Sequence, residues 1–188
     1  VEFSDDPQCI LRIGTTHARV SAQLADGTVV RPGDRIGVLH LWNERMPQIP
    51  PAGADLAWAR EFRRLLVYSI HLAGRHVAAN PAFDTVEAFG GELPLVFTPA
   101  TVRMLERLGF ELFPPVRHHG LVARTIDLVS RVWMWLLRWT FNPGSVRGVG
   151  LGDIDRRPTW MSRRTFLAMY GPDAAVPAAA SAVSQTNR

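Results

Sequence analysis

The chain contains no lysine: all 21 basic residues among its 188 are arginine. That uniformity weakens any argument that arginine was chosen site by site for phosphate. It also lifts the pI to 10.4, because a guanidinium holds its proton to higher pH than an ammonium does. The net charge of +4 still leans towards anionic partners. A single cysteine, Cys9, excludes an internal disulfide and a multi-cysteine zinc cluster, and fits a reducing compartment. No apolar run reaches the ~18 residues of a spanning helix. The opening residues, Val1 to Asp6, lack the basic and apolar regions of a secretory signal. Because the chain opens on Val1 rather than Met, an upstream targeting segment is left open. Also absent are Gly-x-Ser-x-Gly, Gly-x-x-x-x-Gly-Lys and His-Glu-x-x-His, so nucleophile-elbow, P-loop and helical zinc sites lack sequence support. Neither a cofactor nor a metal is expected.

At 47% hydrophobic and 20% charged, the composition is that of an ordinary globular domain. Residues 8–13 read as a strand and Arg19–Leu24 as another, with Asp26-Gly27 at the spacing of a tight hairpin before Thr28–Val30. Pro32-Gly33-Asp34 is a turn launching a strand over Arg35–Trp42, whose alternation puts Ile36, Val38, His40 and Trp42 on one face. Three prolines mark Met46–Gly53 as a loop. Asp55 then caps a long amphipathic helix to about Ala79, with Arg60, Arg63, Arg64, His71 and Arg75 on its outer side. Thr85–Phe89 and Leu93–Phe97 read as two strands about a Gly90-Gly91 turn. Thr98-Pro99 starts a helix over Ala100–Leu108, and Phe110–Phe113 is a short strand. A strand, helix and strand in that order can form a crossover, giving a partly parallel sheet.

His119 to about Phe141 reads as another long helix, on which Arg117, Arg124, Arg131 and Arg138 recur every seven residues and so drift only ~20° per repeat. Trp135 and Trp139 sit beside this stripe, and Val122, Ile126, Val129, Trp133, Leu136 and Leu137 lie opposite. Residues 144–158 read as a Gly- and charge-rich loop, and Ser162–Tyr170 as a short helix capped by Ser162 and closed at Gly171. The fold expected is α+β in one domain over residues 1–172. Its mixed, mostly antiparallel sheet starts from an N-terminal hairpin and is covered by the two long helices. The Ala/Pro/Ser-rich tail 173–188 is expected to be disordered.

Two groups of residues carry candidate chemistry. At the end of the Arg35–Trp42 strand, His40 can serve as a general base with Asn43 orienting it and Glu44 or Asp34 as the carboxylate. The alternative is a hydrogen-bonded structural histidine beside a solvated turn. The second group is Arg124, Arg131, Arg138, Trp135 and Trp139, joined by Arg147 in the following loop. Interleaved indoles and guanidiniums suit the interface of a membrane surface bearing anionic lipid. They equally suit packing, with tryptophan stacked beneath arginine, and the apolar face opposite favours packing with both sides covered. Exposed aromatics among the basic residues are too few to make nucleic acid the leading partner. The run Arg147-Gly-Val-Gly-Leu-Gly152 has the look of an acetyltransferase pyrophosphate loop, but it follows Leu105–Glu111 where that family has it first, and no helix start comes after it.

The run DGTVVRPGDRIGVLHLWNE, the long helix after it, VEAFGGELPLVF, and RLGFELFPP before a Trp-rich helix together resemble the YkoP-like family over about Cys9–Gly171. This is a bacterial domain found alone or attached to polysaccharide deacetylases. The resemblance implies cell-envelope, glycan or lipid metabolism and supplies no catalytic residues. Two functions follow as expectations. One is an accessory domain binding an anionic lipid or glycan-lipid through the Arg–Trp helix and the loop after it, cytoplasmic and peripheral to the membrane. The other is a small enzyme on a lipid- or glycan-linked substrate with His40 as acid/base. The oligomeric state is not legible.

Overall fold

The structure, a computed structural model, describes residues 2–95, 97–115, 125, 128–129, 131–133, 135–136, 140, 150 and 155–174. Its centre is a five-stranded mixed sheet of β1 (Leu11–His17), β4 (Arg35–Leu41), β5 (Ala88–Leu95), β7 (Asp155–Ser162) and β6 (Glu111–Leu112), in that spatial order. A separate ribbon pairs β2 (Ala22–Gln23) with β3 (Val29–Val30). The helices with defined ends are α1 (Leu56–Ala79), α2 (Pro99–Arg107) and α3 (Arg163–Tyr170).

Each helix starts where a side chain can satisfy its free N–H groups. Asp55 accepts from the Trp58 N–H at 2.7 Å, Thr98 from Thr101 at 3.1 Å and Ser162 from Thr165 at 3.0 Å. The hairpin closes as its spacing predicts: Leu24 N–H donates to the Thr28 carbonyl at 2.9 Å, and Gly27 supplies the positive φ of 86°. The strand expected over Arg19–Leu24 shortens to β2.

Alternation divides the core in two. On one face Leu11, Ile13, Phe89 and Met161 pack beneath α1 and α3, against Ile70, Ala73, Val77, Phe166 and Tyr170. On the other, Ile36, Ala88 and Trp160 are covered by Leu24 and Val30 of the ribbon segment. The parallel pair is β4 with β5, joined through α1. The crossover expected around α2 does not join neighbours, because β7 lies between β5 and β6 and pairs antiparallel with both.

Three readings are corrected. The Gly90-Gly91 pair does not turn the chain; β5 runs straight through it, with Gly90 opposite Trp160 and Gly91 opposite Thr159. A Cβ at Gly90 would collide with the Thr159 carbonyl, so the glycine serves a close strand approach at a φ of 147°. Residues 155–158 are not loop but the start of β7. Pro158 is tolerated there because its carbonyl accepts from Phe113 at 2.9 Å, which turns its ring nitrogen to the side where β6 has ended. His71 does not lie on the outer basic face of α1. It is buried at 5% exposure, edge-on to Tyr170 with ring centroids 5.1 Å apart, because α3 packs on that side.

The expectation of a second long helix over the sheet falls largely outside the described residues. The described residues between 125 and 140 are helical, yet none belongs to either core cluster. Among the described residues, α1 and α3 cover one face and the ribbon packs on the other. The residues Val122, Ile126 and Leu137, most of the 144–158 loop and the tail from residue 175 lie outside the described residues.

Candidate functional site

The strand β4 carries polar groups at both of its ends. Asp34 stands just before it, where Arg31 N–H donates to Asp34 Oδ2 at 2.6 Å and fixes the turn whose Gly33 has a φ of 94°. His40 is six residues further on, roughly 20 Å away at strand rise. These two candidates are therefore at opposite ends of one element and do not share a site.

At the far end, His40 faces Arg12 across the β1–β4 ladder. It is exposed, and no hydrogen-bond partner holds its ring among the described residues. Burial of part of the ring pulls its pKa below the ordinary histidine value. Asn43 and Glu44 follow on a single 3₁₀ turn, Asn43–Arg45. The dominant side chain here is Trp42, 8% exposed, with two guanidiniums over its ring, Arg45 at 3.5 Å and Arg12 at 4.2 Å from the ring centroid. Arg45 is held in turn by donating to the Asp6 carbonyl at 2.9 Å. The arrangement braces the strand end; it brings no second titratable group into hydrogen-bond reach of His40.

At the near end an open, polar cleft of about 490 Å³ lies between the ribbon, the start of β4 and the approach to β5. Asp34 is the one predicted site residue in it. Arg31, Arg35, Thr85 and Glu87 join it there, and sequence reasoning did not single these four out. The signal available was two arginines flanking the Pro32-Gly33-Asp34 turn. Beside the cleft, Asp26 is held well below the usual carboxylate pKa, first by the Ser162 hydroxyl and further by Thr28 and Arg164. The Asp26–Arg164 ion pair measures 3.1 Å and staples the ribbon to α3.

The third region comprises the described helical residues between 125 and 140. Arg131 and Trp135 are half-buried; Arg124, Arg138, Trp139 and Arg147 lie outside the described residues. Leu128, Val129, Val132, Trp133 and Leu136 are exposed, Val129 and Trp133 by 62% and 61%. Successive residues of a helix turn by ~100°, so these five fall within an arc of about 140°, with Trp135 and Arg131 along one margin. Among the described residues, the side bearing Arg131 and Trp135 is partly covered, and Leu128, Val129, Val132, Trp133 and Leu136 are exposed.

Residues 4–170 of the chain match the YkoP domain. The chain belongs to the YkoP domain family. The match spans every element described above, from the segment before β1 to the end of α3. No curated protein and no solved structure matches the chain. Among the described residues, no helix is long and apolar enough to cross a membrane, and no group of three His, Cys, Asp or Glu side chains could hold a metal ion.

Proposed function

We propose that this YkoP domain is an accessory module of cell-envelope lipid or glycan metabolism that docks on an anionic membrane surface through the helix at 125–140. The observation that carries the reading is the open apolar arc of Leu128, Val129, Val132, Trp133 and Leu136. Leaving five such side chains in water is unfavourable, since fully burying each contributes about 1.5–3 kcal/mol, and contiguous exposed patches of this kind mark interaction surfaces. A membrane is favoured over a protein groove by what borders the arc. A tryptophan stands on each margin, Trp133 and Trp135, with Arg131 beside the latter, and indole and guanidinium are the side chains suited to the boundary between acyl chains and phosphate. The net charge of +4, carried entirely by arginine, adds attraction to an anionic leaflet.

Flotation on vesicles tests this. The protein is expected to float with vesicles containing phosphatidylglycerol, less with purely zwitterionic vesicles, and progressively less as salt rises from 50 to 500 mM. Binding that ignores both lipid charge and salt would count against the reading. The enzymatic alternative, with His40 as acid/base, draws no comparable support: His40 has neither Asp34 nor a second oriented carboxylate within reach.

A further inference from the structure

The cleft at the head of β4 gathers charges that the fold leaves unpaired. Nearby, the fold does match its charges: Arg164 pairs with Asp26 at 3.1 Å and Arg163 with Asp84 at 3.5 Å. Inside the cleft, Arg31 and Glu87 are exposed and their side chains make no ion pair or hydrogen bond with any described residue. Arg35 is oriented by neutral groups, donating to Thr15 Oγ1 at 3.3 Å and Thr85 Oγ1 at 3.4 Å. A guanidinium positioned by hydroxyls keeps its whole charge for an incoming anion, and its planar fork suits phosphate or carboxylate. Asp34 is spent only on the Arg31 backbone N–H.

Two cations and two carboxylates make the lining electrically neutral, which decides the ligand class. A bare anion drawn to Arg31 and Arg35 would also meet Asp34 and Glu87; a bare cation would meet the arginines. Glu87 stands level with Arg35, just before the neighbouring strand, and Asp34 beside Arg31, so a molecule carrying both signs a few ångströms apart can meet a cation and a carboxylate together. We propose that this cleft binds a small zwitterion, a phosphate or carboxylate joined by a short linker to an ammonium. Arg31 and Arg35 hold the anionic end, and Glu87 with Asp34 holds the ammonium. Such chemistry occurs in free metabolites and in lipid headgroups. The inference stands independently of membrane docking, since it uses none of the same residues.

The test is calorimetric titration of the full chain with phosphoethanolamine, and separately with inorganic phosphate and with ethanolamine. Phosphoethanolamine is expected to bind saturably and at least tenfold more tightly than either fragment. Arg35→Gln and Glu87→Gln are each expected to weaken it at least tenfold, and Glu87→Gln to narrow its advantage over phosphate. Circular dichroism checks folding; if Arg35→Gln is unfolded, Arg31→Gln replaces it, because that side chain supports nothing else. Competition between phosphoethanolamine and phosphatidylethanolamine vesicles would place the ligand on a lipid, and binding without competition would place it in solution. Absence of saturable binding, equal affinity for phosphate alone, or affinity unchanged in the variants would overturn the proposal.

Discussion

The hydroxyl of Ser69, at the middle of α1, accepts a hydrogen bond from the Ile10 N–H at 2.8 Å and donates to the Leu65 carbonyl at 2.7 Å. Ser69 is wholly buried, and so is Ile10. One oxygen therefore ties the entry to β1 to the helix that covers the sheet. Ser69→Ala removes the acceptor and strands a buried N–H, a loss of about 1–3 kcal/mol. Thermal denaturation should show a fall of roughly 2–4 °C per kcal/mol for a chain of this size. An unchanged midpoint would mean that another acceptor replaces the hydroxyl.

That contact also shows what a sequence can and cannot disclose. The amphipathic period of α1 and its Asp55 cap were legible because they depend on neighbours in the chain. Ser69 was legible only as a small residue on the apolar stripe; its partner lies 59 residues away. The strand β7 was hidden for a related reason. Asp155, Arg156, Arg157 and Pro158 have no apolar alternation, and pairing with β5 makes them a strand. In the candidate sites, Asp34 and His40 read as neighbours because they are close in number, whereas an extended chain separates them. The arginine repeat over 117–138 was visible from its seven-residue spacing, but which side of a helix is covered depends on contacts with distant elements, which spacing does not carry.

Gly74 marks the crossing of α1 and α3, where a Cβ would collide with the Tyr170 carbonyl. Gly74→Ala gains about 0.5–1 kcal/mol in helix propensity, but overpacking at such a contact costs about 1–3 kcal/mol. The variant is expected to melt lower than the parent. A higher melting temperature would show that α3 can move away freely.

Stability is expected to fall below about pH 6.5. His71 and His76 on α1, and His40 on β4, are all held below the ordinary histidine value of 6.5, burial being the first cause in each. For a lowered histidine the unfolded chain binds the proton more readily. Its contribution is therefore complete above 6.5 and is lost as pH falls through the folded value. At the alkaline end the sign reverses. Tyr68, through its hydrogen bond to Asp6, and Tyr170, through burial, are each pushed up to about 12. Their contribution is whole below about pH 10 and is lost as pH rises towards 12. Urea midpoints measured from pH 5 to 8 should rise with pH; a flat profile would contradict the assignment.

Replacement of His40 by Gln is expected to leave the fold within about 0.5 kcal/mol of the parent, as for exposed positions without a partner. Urea denaturation checks this. A loss of several kcal/mol would show that the ring is held by contacts that its exposed position at the end of β4 does not reveal.

Membrane docking rests on the exposed arc of Leu128, Val129, Val132, Trp133 and Leu136. Val132→Glu/Leu136→Glu places two carboxylates at the centre of that arc, on residues 37% and 41% exposed and outside both core clusters. In flotation on phosphatidylglycerol vesicles at low salt, the parent is expected to rise with the vesicles and the double variant to stay below, with equal melting temperatures. If the variant floats as well as the parent, or if the same changes instead abolish a concentration-dependent dimer, the arc is not a membrane-docking face.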